Sequence, residues 1–180
     1  MPRYVAFLRA INLGATRTFP KAAIIAATEA TGATEVATHA TSGNVVLTCP
    51  QRSAKSVAAA LEKSYAAAAG FAVPTVVLTL AELREVVATG QELAEKHQPA
   101  GKHYVTLYAA PPPAAAAAAV TSLEIPGDVC VVSGRAAYAL LEGNIHTSKL
   151  LSSKEFAALG EGTSRTIEML TTLAGKWAAD

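Results

Sequence analysis

The chain has 180 residues, 51% of them hydrophobic and 16% charged, with a formal net charge of +1. That length can bury a real core in one domain or two small ones, and the composition excludes an intrinsically disordered chain. A balance so close to neutral argues against a broad electrostatic binder of nucleic acid or of membrane surfaces. The bias that exists is local: Arg3, Arg9, Arg17 and Lys21 all precede the first acid, Glu29.

In chain order, Tyr4 to Ile11 reads as a strand. Its alternating faces, Val5 with Phe7 and Ala6 with Leu8, are both apolar, which predicts a central strand covered on both sides. Pro20 suits the first turn of a helix running to about Thr31 and closed by Gly32. Glu35 to Ala40 and Asn44 to Cys49 read as two strands joined by a tight turn at Ser42-Gly43. Ser53 is the expected N-cap of a long Ala-rich helix ending at Gly70. Val73 to Leu78 is a β-branched strand, and Thr79-x-x-Glu82 is a capping box for a helix expected to stop near Gly90.

Gln98-Pro99-Ala100-Gly101 is the expected linker, dividing a domain of residues 1–98 from a subdomain of residues 103–180. The second half repeats the opening order: a strand from His103 to Ala109, then an Ala-run helix after Pro111-Pro112-Pro113. A hairpin of Val129–Val132 and Ala136–Leu141 follows, around Ser133-Gly134-Arg135. A helix capped by Ser152 with Glu155 comes next, and a last helix covers roughly Arg165 to Trp177.

The first half thus has the order β-α-β-β-α-β, which folds most economically as a four-stranded antiparallel sheet with two helices on one face. The expected fold class is α+β, a ferredoxin-like half followed by a second, smaller α+β half. In that topology the loop after strand one and the turn between strands two and three share one edge of the sheet. Asn12 to Thr18 and Thr41 to Asn44 are therefore expected to be spatial neighbours.

At these same residues the chain resembles the bacterial family designated domain of unknown function 1697. The matching stretches are Leu8-Arg9-Ala10-Ile11-Asn12-Leu13-Gly14 and Thr38 to Leu47, with weaker ones at Gly143 to Leu150 and Thr163 to Thr166. The family usually has glycine at the positions of Ala10 and Ala15, glutamine at Thr41, and an Asn-Trp-Asn run at Thr166-Ile167-Glu168. The resemblance implies an α+β fold with a ferredoxin-like half and brings no activity.

The shared edge is the place to look for a ligand. Arg9 can pair an anion, with Arg17 and Lys21 nearby, while Asn12, Gly14, Ser42, Gly43 and Asn44 offer amides and hydroxyls that orient one. Turn chemistry accounts for much of the second segment, since Gly43 permits positive φ and Ser42 and Asn44 can bond their own backbone. Gly143 to Leu150 has a superficial phosphate-loop look, but a Walker A needs glycine before its lysine and Ser or Thr after it. Ser148 and Leu150 stand there instead, leaving Lys149 near a helix start as a weaker anion site.

The four histidines have no metal-site spacing, and no cofactor is expected. Ser42 has only His39 as a base, and residues three apart on a strand face opposite ways. Cys49 and Cys130 sit singly in apolar surroundings, as reduced cytosolic cysteines do, and no apolar run reaches bilayer length. The leading expectation is a cytoplasmic protein binding an anionic small molecule or nucleotide at this edge. Self-association or partner binding through the edge strands Glu35–Ala40 or Val73–Leu78 is the alternative, and nucleic-acid binding ranks third.

Overall fold

The computed structural model describes residues 1–179 and is a mixed α+β structure. Its described residues form two four-stranded antiparallel sheets and six helices. They divide into two compact units, Met1–Leu83 with the C-terminal residues from Lys176, and Arg84–Gly175.

The first unit holds β1 (Arg3–Leu8), α1 (Lys21–Glu29), β2 (Thr34–His39), β3 (Asn44–Thr48), α2 (Ala54–Ala69) and β4 (Thr75–Thr79), with strand order β2-β3-β1-β4. β1 is central, and Tyr4 to Leu8 are buried on both faces, as the doubly apolar alternation predicts. Tyr4, Ala6, Leu8, Val45 and Leu47 share one core with Leu61 and Tyr65 of α2. The two helices are tied side by side: the Thr28 and Tyr65 hydroxyls lie 2.8 Å apart, and Ser64 Oγ donates to Ala27 O at 2.6 Å. Burial raises the Tyr65 hydroxyl to about pKa 12, so it stays protonated in this bond. Ser53 caps α2 by accepting from Ser56 N, and Gly70 ends it at φ 77°. At the far end of the chain Trp177 returns to this unit and meets the His39 ring edge-on at 6.3 Å.

α3 (Leu80–His97) starts where the capping box puts it, with Thr79 N donating to Glu82 Oε2 and Glu82 N to Thr79 Oγ1. It does not stop near Gly90. A Cβ at Gly90 would lie 2.4 Å from Ile167 Cδ1, so this glycine admits a close neighbour to the helix surface instead of ending the helix.

The second unit continues with β5 (His103–Leu107), α4 (Ala114–Thr121), β6 (Val129–Ser133), β7 (Ala136–Leu140), α5 (Lys154–Ala157), β8 (Thr163–Thr166) and α6 (Ile167–Trp177). Its strand order, β6-β7-β5-β8, is position for position that of the first sheet. The repeat therefore extends beyond its opening to the whole order of elements. Two expectations are corrected here. β8 occupies Thr163–Thr166, so α6 begins at Ile167 and not at Arg165. The cap of α5 is Ser153, whose Oγ accepts from Phe156 N, because Ser152 Oγ is already donated back to Ser148 O.

His103 is 3% exposed on β5, and neither ring nitrogen has a hydrogen-bond partner. Burial disfavours its charged form and lowers its pKa below the usual 6.5; the nearby Glu168 carboxylate opposes this and is outweighed. A buried neutral histidine contributes stability that is fully present above the unfolded pKa and lost as pH falls toward the folded one. Thermal unfolding of wild type is therefore expected to shift to lower temperature between pH 7 and pH 5. In His103→Phe that pH dependence should shrink, and an unchanged slope would place the acid-sensitive group elsewhere.

Candidate functional site

The two polar segments meet at one edge of the first sheet, and Asn12 joins them. Its backbone sits at φ 54°, a left-handed conformation that asparagine tolerates better than most residues. From there Nδ2 donates to Thr41 O at 2.8 Å and Oδ1 accepts from Phe19 N at 2.9 Å. Asn12 N also closes the loop onto Arg17 O at 2.7 Å. One amide side chain thus holds the β1–α1 loop against the β2–β3 turn.

The turn is built to be approached closely. Gly43 is buried at φ 77°, and a Cβ there would lie 2.7 Å from Leu8 Cβ and 2.8 Å from Ile11 Cδ1. Leu8 N donates to Gly43 O at 2.8 Å, which extends the β1–β3 ladder into the turn. Asn44 is fully buried, and its Nδ2 donates to His39 O at 3.0 Å and to Ser42 Oγ at 3.1 Å. Both contacts are turn chemistry. The His39 ring engages Trp177, and Ser42 accepts from Asn44.

Arg17 is a structural clamp. Its Nε donates to Ala10 O and an Nη to Ala72 O, each at 2.7 Å, and its guanidinium lies 4.7 Å from the Phe71 ring centroid. Those contacts anchor the β1–α1 loop to the segment between α2 and β4. Arg9 is half-buried, and its N–H donates to Pro74 O. Gly14 is exposed at φ 61° with open space around it.

Between the joined segments lies a cavity of about 550 Å³. Asn12, Thr41 and Gly43 line it together with Phe19, Lys21 and Ile24. Phe19 also packs edge-on against Tyr65 at 5.5 Å. The Thr38 hydroxyl, on the same wall, is buried without a hydrogen-bond partner. α1 begins here too: its N-cap, Pro20, supplies no side-chain acceptor, and its first turn holds no acid. Unsatisfied N–H groups at a helix start favour negative charge nearby. Of the residues singled out from sequence, Asn12 and Gly43 line the cavity; Ser42 and Asn44 flank Gly43 in the turn, and Arg9 and Gly14 stand outside the lining.

Lys149 lies in the other unit, beside a separate cleft of about 260 Å³ that also includes Asp128, Glu142 and Ser148. Hydrogen bonding there is internal. Ser148 Oγ donates to Asp128 Oδ2 at 2.9 Å and accepts from Leu151 N, while Asn144 Oδ1 accepts from His146 N and Thr147 N. Lys149 itself is exposed. Among the described residues no cluster of His, Cys, Asp or Glu can hold a metal ion, and no helix is long and apolar enough to cross a membrane.

Residues 1–138, which carry this edge and much of the second unit, match the family described as protein of unknown function (DUF1697). The chain belongs to that family. A solved structure covering 99% of both chains, with a TM-score of 0.70 and 18% identity, is that of the conserved bacterial protein SP0830 from Streptococcus pneumoniae. At that identity the likeness shows the fold alone. No curated protein matched the chain. Neither the DUF1697 family nor this structural neighbour indicates a specific function.

The apolar lining escaped sequence reading because Phe19 and Ile24 look like any helix-proximal core residues. Their one signal is adjacency to the Asn12 loop. The backbone geometry yields a direct test by thermal denaturation. Gly43→Ala combines positive φ with two contacts under 3 Å and is expected to cost about 2–4 kcal/mol. Ala10→Gly, at φ 56°, relieves left-handed strain and should stabilise by up to about 1 kcal/mol after the glycine entropy cost. Asn12→Asp keeps the acceptor for Phe19 N, loses the donor to Thr41 O, and should cost about 1–2 kcal/mol.

Proposed function

We propose that the first unit binds a small amphiphilic anion, an apolar body bearing one carboxylate or phosphate, in the cavity beside Asn12. The observation that carries this reading is the lining itself: two specific polar segments converge on a mostly apolar space with one cation and an uncapped helix start at its edge. The volume of about 550 Å³ lies in the range of small-molecule sites. Phe19 and Ile24 would take the apolar body. Lys21, the first-turn N–H groups of α1 and the Thr38 hydroxyl would meet the acid group.

Arg17 is excluded from that role by its two backbone acceptors, and Arg9 stands outside the lining. A nucleotide is a poorer fit than a simple amphiphile, since a triphosphate wants several cations and this lining offers Lys21 alone. The strand order β2-β3-β1-β4, with α1 and α2 packed side by side, supports a ferredoxin-like assignment for the first unit, and the matching order β6-β7-β5-β8 extends it to the second. A cytoplasmic setting agrees with two buried unpaired cysteines, one of which, Cys130, is raised by burial to about pKa 12 and so kept as an inert thiol.

The test is calorimetry with matched pairs, an aliphatic or aromatic acid or monophosphate against its neutral alcohol. Acids are expected to bind and alcohols to bind more weakly. Lys21→Glu should weaken acid binding about tenfold or more, and Thr41→Trp at the cavity wall should block both members of each pair. Equal affinity for acid and alcohol, or acid binding indifferent to Lys21→Glu, would refute the anion assignment.

A further inference from the structure

Four side-chain nitrogen and oxygen atoms among the described residues are buried without a hydrogen-bond partner. Three of them, both ring nitrogens of His103 and the Tyr108 hydroxyl, lie in the second unit. The fourth is Thr38 Oγ1, and Thr38 lines the cavity of the first unit. Cross-strand partners share a face of their sheet. Thr38 pairs with Val45, which belongs to the core formed with Ile24 of α1 and Leu61 of α2. The Thr38 side chain therefore stands on the face that the helices cover. Lys21 and Ile24, three residues apart on α1, line the same cavity from the helix side.

We infer that the anion bound here is a 2-hydroxy acid and that Thr38 is the residue that selects it, an inference resting on the anion site proposed above. The polar groups that meet the acid from α1, Lys21 Nζ and the first-turn N–H groups, only donate, and an ionised acid only accepts. The Asn12 amide is already engaged with Thr41 O and Phe19 N. A threonine hydroxyl both donates and accepts, so an acid oxygen alone fills half of what it offers. A ligand hydroxyl on the carbon next to the acid supplies both a donor and an acceptor at that place. An amino group there would be a cation beside Lys21 and a helix start, and the lining holds no carboxylate to pair it. In the free protein Oγ1 is shielded from solvent, and it reaches the ligand by rotation of χ1 between staggered rotamers.

Three separate contacts also fix handedness. The acid goes to Lys21 and the start of α1, the apolar body to Phe19, and the hydroxyl to Thr38 on β2. These are three different substituents of one carbon, each held by a different part of the wall. One enantiomer satisfies all three contacts, and its mirror image leaves the Thr38 hydroxyl unmatched.

Calorimetry with 3-phenylpropanoate, the two enantiomers of 3-phenyllactate and phenylalanine tests this. One phenyllactate enantiomer should bind about tenfold tighter than its mirror image and than the plain acid, and phenylalanine no tighter than the plain acid. Thr38→Val should level these differences, and Thr38→Ser should keep them. Ligand-free Thr38→Val is expected to melt no lower than wild type, because valine has the same shape and removes an unpaired buried hydroxyl. Hydroxy and plain acids bound alike, enantiomers bound alike, or a preference that survives Thr38→Val each overturn the inference and leave the acid site standing. A Thr38→Val protein that melts lower reveals a partner for the hydroxyl and also overturns it. Wild type that binds none of these acids refutes the anion reading itself, and the inference falls with it.

Discussion

The Asn12 side chain is the contact on which the first unit's edge depends. Its amide spans the gap between the β1–α1 loop and the β2–β3 turn, donating to Thr41 O and accepting from Phe19 N. It is the side chain that ties the loop to the turn beside the cavity, because the loop's other anchor, Arg17, points away toward Ala72 and Phe71. The two anchors act on opposite sides. Arg17 fixes the loop to the segment before β4, Asn12 fixes it to the turn, and Gly43 lets the turn come within contact of Leu8 and Ile11. The cavity is the space these three constraints leave beside the start of α1.

The second unit shows what the same topology does without that arrangement. Tyr108 N donates to Arg135 O as Leu8 N donates to Gly43 O, so Tyr108 and Arg135 hold the equivalent places. There the turn residue is an arginine that reaches over and bonds the carbonyls of Tyr108 and Ala109. The connection that follows spans only residues 108–113, against 9–20 in the first unit, and it contains three consecutive prolines. A short stiff connection held by an arginine leaves no loop to arch over a pocket. The first unit's cavity is bounded by the long loop and its asparagine, parts that the sheet order alone does not supply.

Much of this was legible in the sequence, for reasons that differ by element. Central-strand burial of β1, the Ser53 cap, the Gly70 stop and the Thr79/Glu82 box each rest on local chemistry that tertiary packing does not override. The convergence of Asn12 with the 41–44 turn was legible through topology, since element order alone sets which loops share an edge. The misses have a common cause, which is that a residue's role was decided by a distant partner. Gly90 reads as a helix stop until Ile167 is placed against it. Thr163 to Thr166 is polar and short, and becomes a strand only because β5 offers it a partner, with Thr106 and Ser164 hydroxyls 2.7 Å apart across the pair. Phe19 and Ile24 become cavity walls only once the loop above them is seen.

Backbone strain separates what this edge needs from what it tolerates. Ala10, Asn12 and Ala40 all sit in the left-handed region, at φ 56°, 54° and 57°, around one cavity. Each costs roughly 1–2 kcal/mol relative to glycine's freedom there. At Ala10 glycine would adopt the same φ without the Cβ penalty, so the alanine here is the less comfortable residue. Asn12 is different. Glycine would adopt its φ more easily and would forfeit every side-chain bond that joins the loop to the turn. The asparagine bears that strain and makes two strong side-chain bonds that glycine could not. At Asn12 that side chain shapes a cavity wall, whereas Arg9 at the strand's end stands outside the lining.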